Sequence, residues 1–477
     1  MTRASRGVLA AVAAAVVVSG CGALEPRLPE AQPAISDQWP LPPTTTAAPV
    51  VPATATGATS RVVADVGWRD FFVDPKLEEL VARALANNRD LRVSVANVER
   101  ARQLYRIQRA DRVPSVDATG AMVRQGGDGQ RTTETYAADL AVTAFELDLF
   151  GRVRNLSDAA LQRYFAQEDA RRSAQLSLVA EVANVYLTLA ADQEQLELAR
   201  QTLRTWNDYF AITQKRHEFG AVSALDVYQA RTQVEAARAD LARYAGQVAQ
   251  DVNALNLLVG GTLEPGVLPT GFDPNVTGLD ALPVGLPSEV LLRRPDVLEA
   301  ERRLRAANAD IGAARAAFFP SITLTGAVGS ASDELSGLFD SGTSTWSFVP
   351  RVNVPIFEGG RLRANLGVAR ADRDIALAQY EGTIQRGFRE VADALALTST
   401  LAEQRQALEQ LVEAAAKAEE ISRVRYDAGR DSYLTRLEAQ RTLYVSEQAL
   451  ITTRLAEQAN RITLYKVLGG GWTEGSR

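Results

Sequence analysis

The chain has 477 residues, 46% of them apolar and 23% charged, which is enough for two or three ordinary domains and a sizeable core. Its formal charge of −6 is mild and carries neither a basic block nor an acidic tail, so nothing points to nucleic acid. A single Cys, at position 21, excludes internal disulfides and thiolate metal sites in the folded body, and one His (His217) with two Met leaves little for a metal relay.

Arg3 and Arg6 precede the apolar run Val8–Val18, and Ser19-Gly20-Cys21 follows it, the order of an export signal over residues 1–20. That run falls short of the roughly 20 residues a bilayer-spanning helix needs. Val18-Ser19-Gly20-Cys21 resembles a bacterial lipobox, which predicts lipid on Cys21; the alternative is a plain signal peptide that happens to contain a Cys. Gly22 rather than Asp after the Cys resembles outer-membrane sorting in that lipoprotein class. Residues 21–65 then read as a lipidated N-terminus and a Pro/Thr/Ala-rich tether, since eight of the nineteen prolines lie in Pro26–Pro52. No later stretch reads as long and apolar enough for a membrane helix, so any spanning part is expected to be β-barrel.

The folded body is expected to start near Trp68. No Pro occurs from Ser115 to Glu264 or after Pro355, and Arg152–Phe219 and Arg430–Leu468 contain neither Pro nor Gly. Leu176, Val179, Val182, Val185, Tyr186 and Leu189 recur at helical spacing among polar residues. A helix filling Arg152–Phe219 would be about 100 Å long, far beyond the ordinary globular helix of about 11–12 residues, which predicts a coiled coil or a helical tube wall. The chain is also a tandem repeat. A shift of 209 lays Gly151-Arg152-Val153-Arg154 on Gly360-Arg361-Leu362-Arg363, and Arg216, Gly220, Ser223 and Leu225 on Arg425, Gly429, Ser432 and Leu434. A shift of 206 lays Pro114-Ser115-Val116 on Pro320-Ser321-Ile322.

Strands occupy matching places in the two halves. In Thr345–Ile356, Trp346, Phe348, Val352, Val354 and Ile356 point one way while Thr345, Ser347, Arg351 and Asn353 point the other. Ile322, Leu324 and Val328 alternate with Thr323 and Thr325, and the first half offers Val116–Val123 and a less regular Ala138–Phe150. Period two over roughly ten residues, apolar out and polar in, is the pattern of a membrane barrel around a wet lumen. The competing pattern is a soluble, half-covered sheet. Two hairpins give four strands per chain against the roughly eight that the smallest bacterial barrels need, so closure must come from several chains. The expected organisation is a first repeat at 66–264 (hairpin 115–150, long helices 152–258), a connector at 265–295, and a second repeat at 296–477 (hairpin 321–357, long helices 361–468, C-terminal tail).

These residues resemble the TolC-type outer-membrane factor family, in its NodT-like lipoprotein branch that serves resistance-nodulation-division pumps. The resemblance rests on Trp68-Arg69-Asp70-Phe71-Phe72, Phe145–Arg152, Gly285-Leu286-Pro287-Ser288-Glu289, Arg293-Arg294-Pro295-Asp296-Val297, Ala316–Ile322, Pro355–Leu362 and Leu464–Trp472. It implies a mainly α protein with a membrane β-barrel contribution, a duplicated strand hairpin plus long helical hairpin that trimerises into a twelve-stranded barrel and an α-helical periplasmic tunnel. It implies an outer-membrane location, lipid-anchored and reaching into the periplasm, with a periplasmic adaptor and an inner-membrane transporter as partners. No phosphate-binding loop is present, so energy is expected from the transporter, and no cofactor, metal site, nucleic-acid partner or enzymatic activity is expected.

The helix-to-helix turns at Gly220–Leu225 and Gly429–Leu434 are expected to form the periplasmic tip. Gly220 and Gly429 suit helix C-termini and Ser223 and Ser432 suit N-caps. Asp226, three residues after Ser223, is either a capping-box residue or, as the resemblance implies, a gate partner of Tyr426. The resemblance also implies an apolar constriction at Leu434 and a basic gate residue at Arg441, with Glu438 standing where Asp is usual. Arg436 falls at a usually apolar place and reads as an adaptor contact or a solvated charge. Two other readings share these features, a type I protein-secretion duct and a non-pore coiled-coil lipoprotein scaffold. The lipobox and the Phe-Phe-Pro-Ser-Ile stretch favour the pump over the first, and the duplicated amphipathic hairpins disfavour the second.

Overall fold

The computed structural model describes residues 24–40, 63, 66–272, 276–277 and 290–471. The signal segment 1–20, Cys21, residues 41–62 of the tether, residues 278–289 of the connector and the tail beyond 471 lie outside the described residues. Helices are α1 (Trp68–Phe71), α2 (Pro75–Asn87), α3 (Arg89–Ala110), α4 (Arg152–Glu218), α5 (Ala224–Val259), α6 (Pro295–Ala316), α7 (Arg361–Asp427) and α8 (Tyr433–Val467). Strands are β1 (Asp117–Gln125), β2 (Thr133–Leu147), β3 (Ser321–Ser332) and β4 (Ser344–Asn353). The duplication is written into the helix bounds: α4 and α7 both have 67 residues, and α5 and α8 have 36 and 35.

The chain packs as two units. The first draws its described residues from Met1–Pro33, Ala96–Asp169 and Leu298–Thr383. Its sheet is antiparallel in the order β1-β2-β3-β4, leaving β1 and β4 as edges. The register pairs Gly120 with Ala138, Leu140 with Val328, and Val328 with Trp346. Between Val142 and Phe145 the β2–β3 register shifts, and two residues of β2 face one of β3. At this bulge Ala144 takes φ 53°, and its N–H is received by Thr325 Oγ1 at 3.2 Å. Around the strand ends Phe150 stacks on Phe319 (4.7 Å), and Gly312 lets α6 approach Asn155, whose Nδ2 would sit 2.6 Å from an added Cβ.

Of the segment read as a tether, residues 24–33 are docked within this unit. Arg315 donates to Leu24 O at 3.1 Å, Asn308 donates to Glu25 Oε1 and Pro26 O at 2.9 and 2.7 Å, and Gln32 N–H donates to Glu381 Oε1 at 2.9 Å. The prolines favour an extended backbone, and the polar side chains of α6 and α7 satisfy groups that an extended segment cannot satisfy itself.

The second unit comprises the described parts of Ala34–Val95, Ala170–Val297 and Ile384–Arg477. Its core gathers Trp68, Phe71, Phe72, Leu77 and Leu80 from α1 and α2, Val182 and Leu189 from α4, Leu255 from α5, Val391 from α7 and Tyr465 from α8. Burying side chains of this size stabilises by about 1.5–3 kcal/mol each. Asp74 caps α2 by accepting from Lys76 N–H at 2.8 Å. Phe71 stacks on Tyr465 at 3.8 Å, and Tyr465 Oη donates to Val66 O at 2.6 Å. Arg294, its side chain 9% exposed, ties Asp296, Glu390 and the Val467 carbonyl together at 2.7, 2.7 and 3.0 Å. It lines a cavity of about 670 Å³ with Glu181, Asn184, Asp393 and Lys466.

One expectation is corrected here. The helix α4 does contain an 18-residue window apolar enough by length and composition to cross a membrane. Most of that window is buried, and Val179, Val182, Ala183, Leu187 and Leu189 spend their apolarity on the core of the second unit.

Candidate functional site

Two places in the chain carry chemistry that folding alone does not require: the sheet of the first unit and the helix turns of the second.

Cross-strand partners share a face, so the register sorts the sheet into two. One face carries Met122, Tyr136, Leu140, Val142, Phe145, Leu324, Val328, Phe348, Trp346 and Val352. The other carries Thr119, Thr135, Asp139, Glu146, Thr323, Thr325, Arg351, Ser347 and Thr345. Val142 and Phe145 are an odd number apart and still lie on one face, because the bulge absorbs a residue. That bulge is why the β2 sequence looked irregular. Among the described residues neither side of β1 or β4 is covered: every residue of both strands is exposed, and Trp346 is 80% exposed. A soluble sheet buries one face under helices or a second sheet. Among the described residues this one leaves its apolar face largely exposed, with a mostly polar face opposite, which suits lipid on one side and water on the other. Its β1 and β4 edges still need partners.

At the turns, both repeats build the same helix stop. Gly220 and Gly429 take φ 71° and 69°, open to glycine without steric cost. Gly220 N–H donates to His217 O and Ala221 N–H to Arg216 O (2.9 and 2.8 Å); Gly429 and Arg430 repeat this toward Tyr426 and Arg425 (2.9 and 2.9 Å). These are paired Schellman motifs. The restarts differ. Ser223 and Asp226 form a reciprocal capping box, Ser223 N–H donating to Asp226 Oδ2 at 2.9 Å. Ser432 receives Thr435 N–H at 3.3 Å, and the carboxylate of this turn, Asp431, instead takes a bidentate bond from Arg425 (2.7 and 2.8 Å) that holds its pKa below the usual carboxylate range.

Of the sequence-predicted gate residues, Asp226 is engaged with Ser223, as the capping alternative had it. The Tyr426 hydroxyl meets Tyr209 Oη at 3.3 Å and receives Arg216 Nη1 at 3.1 Å. Leu434 is 57% exposed, and Glu438 and Arg441 are exposed and form no ion pair within the chain among the described residues. The structure therefore brings Tyr426 into a cluster that does not include the other four. That cluster is aromatic. Tyr209 and Tyr433 stack face to face (4.8 Å, 3°), Trp206 meets Tyr209 edge-on at 6.2 Å, and Tyr426 leans on both tyrosines at 6.3 and 6.2 Å. Burial pushes the Tyr433 phenol up to about 12 and raises Tyr209 as well, so both rings stay neutral. The Arg436 guanidinium lies 5.2 Å over Tyr209 and 5.3 Å over Tyr426, with its side chain 12% exposed. Arg436 is thus neither solvated nor presented outward, which corrects the sequence reading. The missed members, Tyr209 and Tyr433, and the misread Arg436 share one available signal: at a shift of 209 their counterparts are Ala418, Ala224 and Val227.

Known proteins share this arrangement over nearly its full length. The model of the family described as outer membrane efflux protein matches residues 80–261 and 286–470. The probable efflux pump outer membrane protein TtgC of Pseudomonas putida is 45% identical over 478 residues, covering 98% of this chain and 96% of that protein. Outer membrane protein OprJ of Pseudomonas aeruginosa is 46% identical over 439 residues, covering 90% and 92%. The crystal structure of the open state of the Neisseria gonorrhoeae MtrE outer membrane channel superposes with a TM-score of 0.85 at 37% identity, covering 95% of this chain and 99% of that one. The uncovered two-faced sheet, the duplicated long helices and these likenesses have one reading: the chain belongs to the outer membrane efflux protein family and is the outer-membrane channel of an efflux pump.

Proposed function

We propose that three copies of the chain close one twelve-stranded barrel and one helical tunnel, and that this duct carries solute passively from a periplasmic adaptor and an inner-membrane resistance-nodulation-division transporter to the outside. The observation that carries the reading is the sheet itself, apolar on one face, polar on the other and open at the β1 and β4 edges. Lipid satisfies the first face, a water-filled lumen the second, and a neighbouring copy the edges. Residues 1–20 act as the export signal, and Cys21 carries the lipid anchor at the head of the docked 24–33 segment. The turns at Gly220 and Gly429 form the periplasmic tip, where Asp226, Tyr426, Leu434, Glu438 and Arg441 restrict passage. Each restriction is weak, since exposed ion pairs are worth about 0–1 kcal/mol, and an adaptor that binds the open tip more tightly overcomes them.

Deletion of the gene should sensitise cells across an antibiotic, dye and metal panel, and native mass spectrometry of the detergent-extracted protein should show three chains. A functional monomer would sink the architecture. In planar bilayers the Asp226→Ala/Glu438→Ala double variant should raise single-channel conductance, with a stability loss no larger than the roughly 0.5–2 kcal/mol of a helix cap.

A further inference from the structure

The duplicated tip is not symmetric, and the asymmetry lies in one cluster. Trp206 and Tyr209 on α4, Tyr426 on α7, and Tyr433 and Arg436 on α8 form a single aromatic and cationic packing unit that joins the two helical hairpins of one chain. Their counterparts one repeat away are Ala415, Ala418, His217, Ala224 and Val227. The other flanks of the two hairpins, which in a closed ring would face the next copy, therefore lack the means to build the same junction.

Within the cluster Arg436 is the member that ordinary packing does not explain. A leucine there would fill the space without desolvating a charge. The guanidinium instead lies over two phenol rings, its Nε–H has no hydrogen-bond partner among the described residues, and its ion pair with exposed Asp427 spans 3.5 Å. It is held by ring faces from α4 and α7 while belonging to α8, so it touches both hairpins at once. Arg216 approaches Tyr426 as well, 5.6 Å from the ring centroid and 3.1 Å from the hydroxyl. A cation on a π face is a contact that water replaces readily once the faces part, which suits a fastening that must open and close.

We propose that Arg436 is a positioning residue for gating: clasped between Tyr209 and Tyr426, it fastens the tip of the α7–α8 hairpin to α4 of its own chain and holds the tip narrow. The proposal rests on the reading that the turns form the gate, and goes beyond it by assigning part of the restraint to Arg436, a residue outside the five gate residues. Unfastening lets the α7–α8 turn and Tyr433 slide off α4 while the Leu437 packing, one helical turn farther from the tip, keeps the helices associated.

The test uses the full-length, detergent-extracted channel in planar bilayers, with vancomycin susceptibility of cells expressing it as the second readout. Arg436→Leu keeps apolar volume and removes the cation; it should raise open probability about tenfold or more and sensitise cells to the large antibiotic, with an unchanged unfolding temperature. Arg436→Lys restores a cation without the planar fork and should recover closure in part. Conductance and susceptibility of Arg436→Leu equal to those of the unaltered chain, while Asp226→Ala/Glu438→Ala opens the channel, would overturn the clasp and leave the gate at the turns. If neither variant opens the channel, the tip is not the gate and both proposals fall. A lowered unfolding temperature at unchanged conductance would make Arg436 a packing residue and nothing more.

Discussion

The two helix turns start from one design and end with different chemistry. Gly220 and Gly429 stop their helices with the same pair of backbone bonds at nearly the same φ, so the stop is set by main-chain geometry and has survived duplication unaltered. The restarts have diverged. The first turn spends its carboxylate, Asp226, on the helix it begins; the second spends Asp431 on Arg425 of the helix just ended, and surrounds itself with Tyr426, Tyr433 and Arg436. A duplicated part keeps what the backbone demands and varies what the side chains do. The first turn reaches its neighbours only through Arg216, whereas the second is tied to them by Tyr426, Tyr433 and Arg436.

The comparison breaks most severely if its aromatic side is removed. Tyr209→Ala gives the first repeat the residue that the second has at Ala418, and it empties the face on which Tyr433 stacks. Truncating a buried aromatic costs about 3–5 kcal/mol. Hydrogen exchange should show that loss over both 203–213 and 426–437, with the Gly220 turn itself spared; exchange confined to α4 would mean the two hairpins are not coupled there. A smaller effect tests the shared half. Gly220→Ala and Gly429→Ala meet open space and differ from glycine only in the left-handed backbone. Each should cost roughly 1–2 kcal/mol of local stability, and by equal amounts. Unequal costs in matched exchange measurements would end the equivalence of the two stops. The smallest effect is one of pH. The Arg425 bond holds the Asp431 carboxyl below its unfolded value, so its contribution is present above about pH 4 and is lost as pH falls through the lowered value. A spin label at Ala428 should become more mobile on such acidification, one at Ala221 should not, and Asp431→Asn should abolish the difference.

Much of this was legible in the residues. Pro- and Gly-free runs of helical period mark α4 and α8, the 209-residue shift carries the starts of α4 and α5 onto those of α7 and α8, and Thr345–Asn353 declares its two faces by an alternation that only Val349 breaks. What escaped had a physical reason in each case. In β2 the faces were hidden because a bulge resets the period between Val142 and Phe145, and a fixed two-residue pattern cannot see an inserted residue. The docking of the tether was hidden because Pro-rich composition describes its own stiffness and says nothing of Arg315, Asn308 and Glu381, far along the chain, that bind it. Arg436 looked like a surface charge because helical period places it on α8 but cannot show two rings arriving from α4 and α7.

The equal lengths of α4 and α7 restrict how a gene for this chain can change. Each added residue lengthens a helix by about 1.5 Å and turns everything beyond it by about 100°. An insertion in α4 alone would carry Tyr209 away from Tyr433 and set one turn deeper than the other. Insertions or deletions should therefore be tolerated only when matched in both helices, and in blocks of about seven or eleven residues that nearly restore the phase. The single-residue difference between α5 and α8 falls at their far ends, Val259 and Val467, where the turns do not feel it. In such a molecule, length is inherited in pairs.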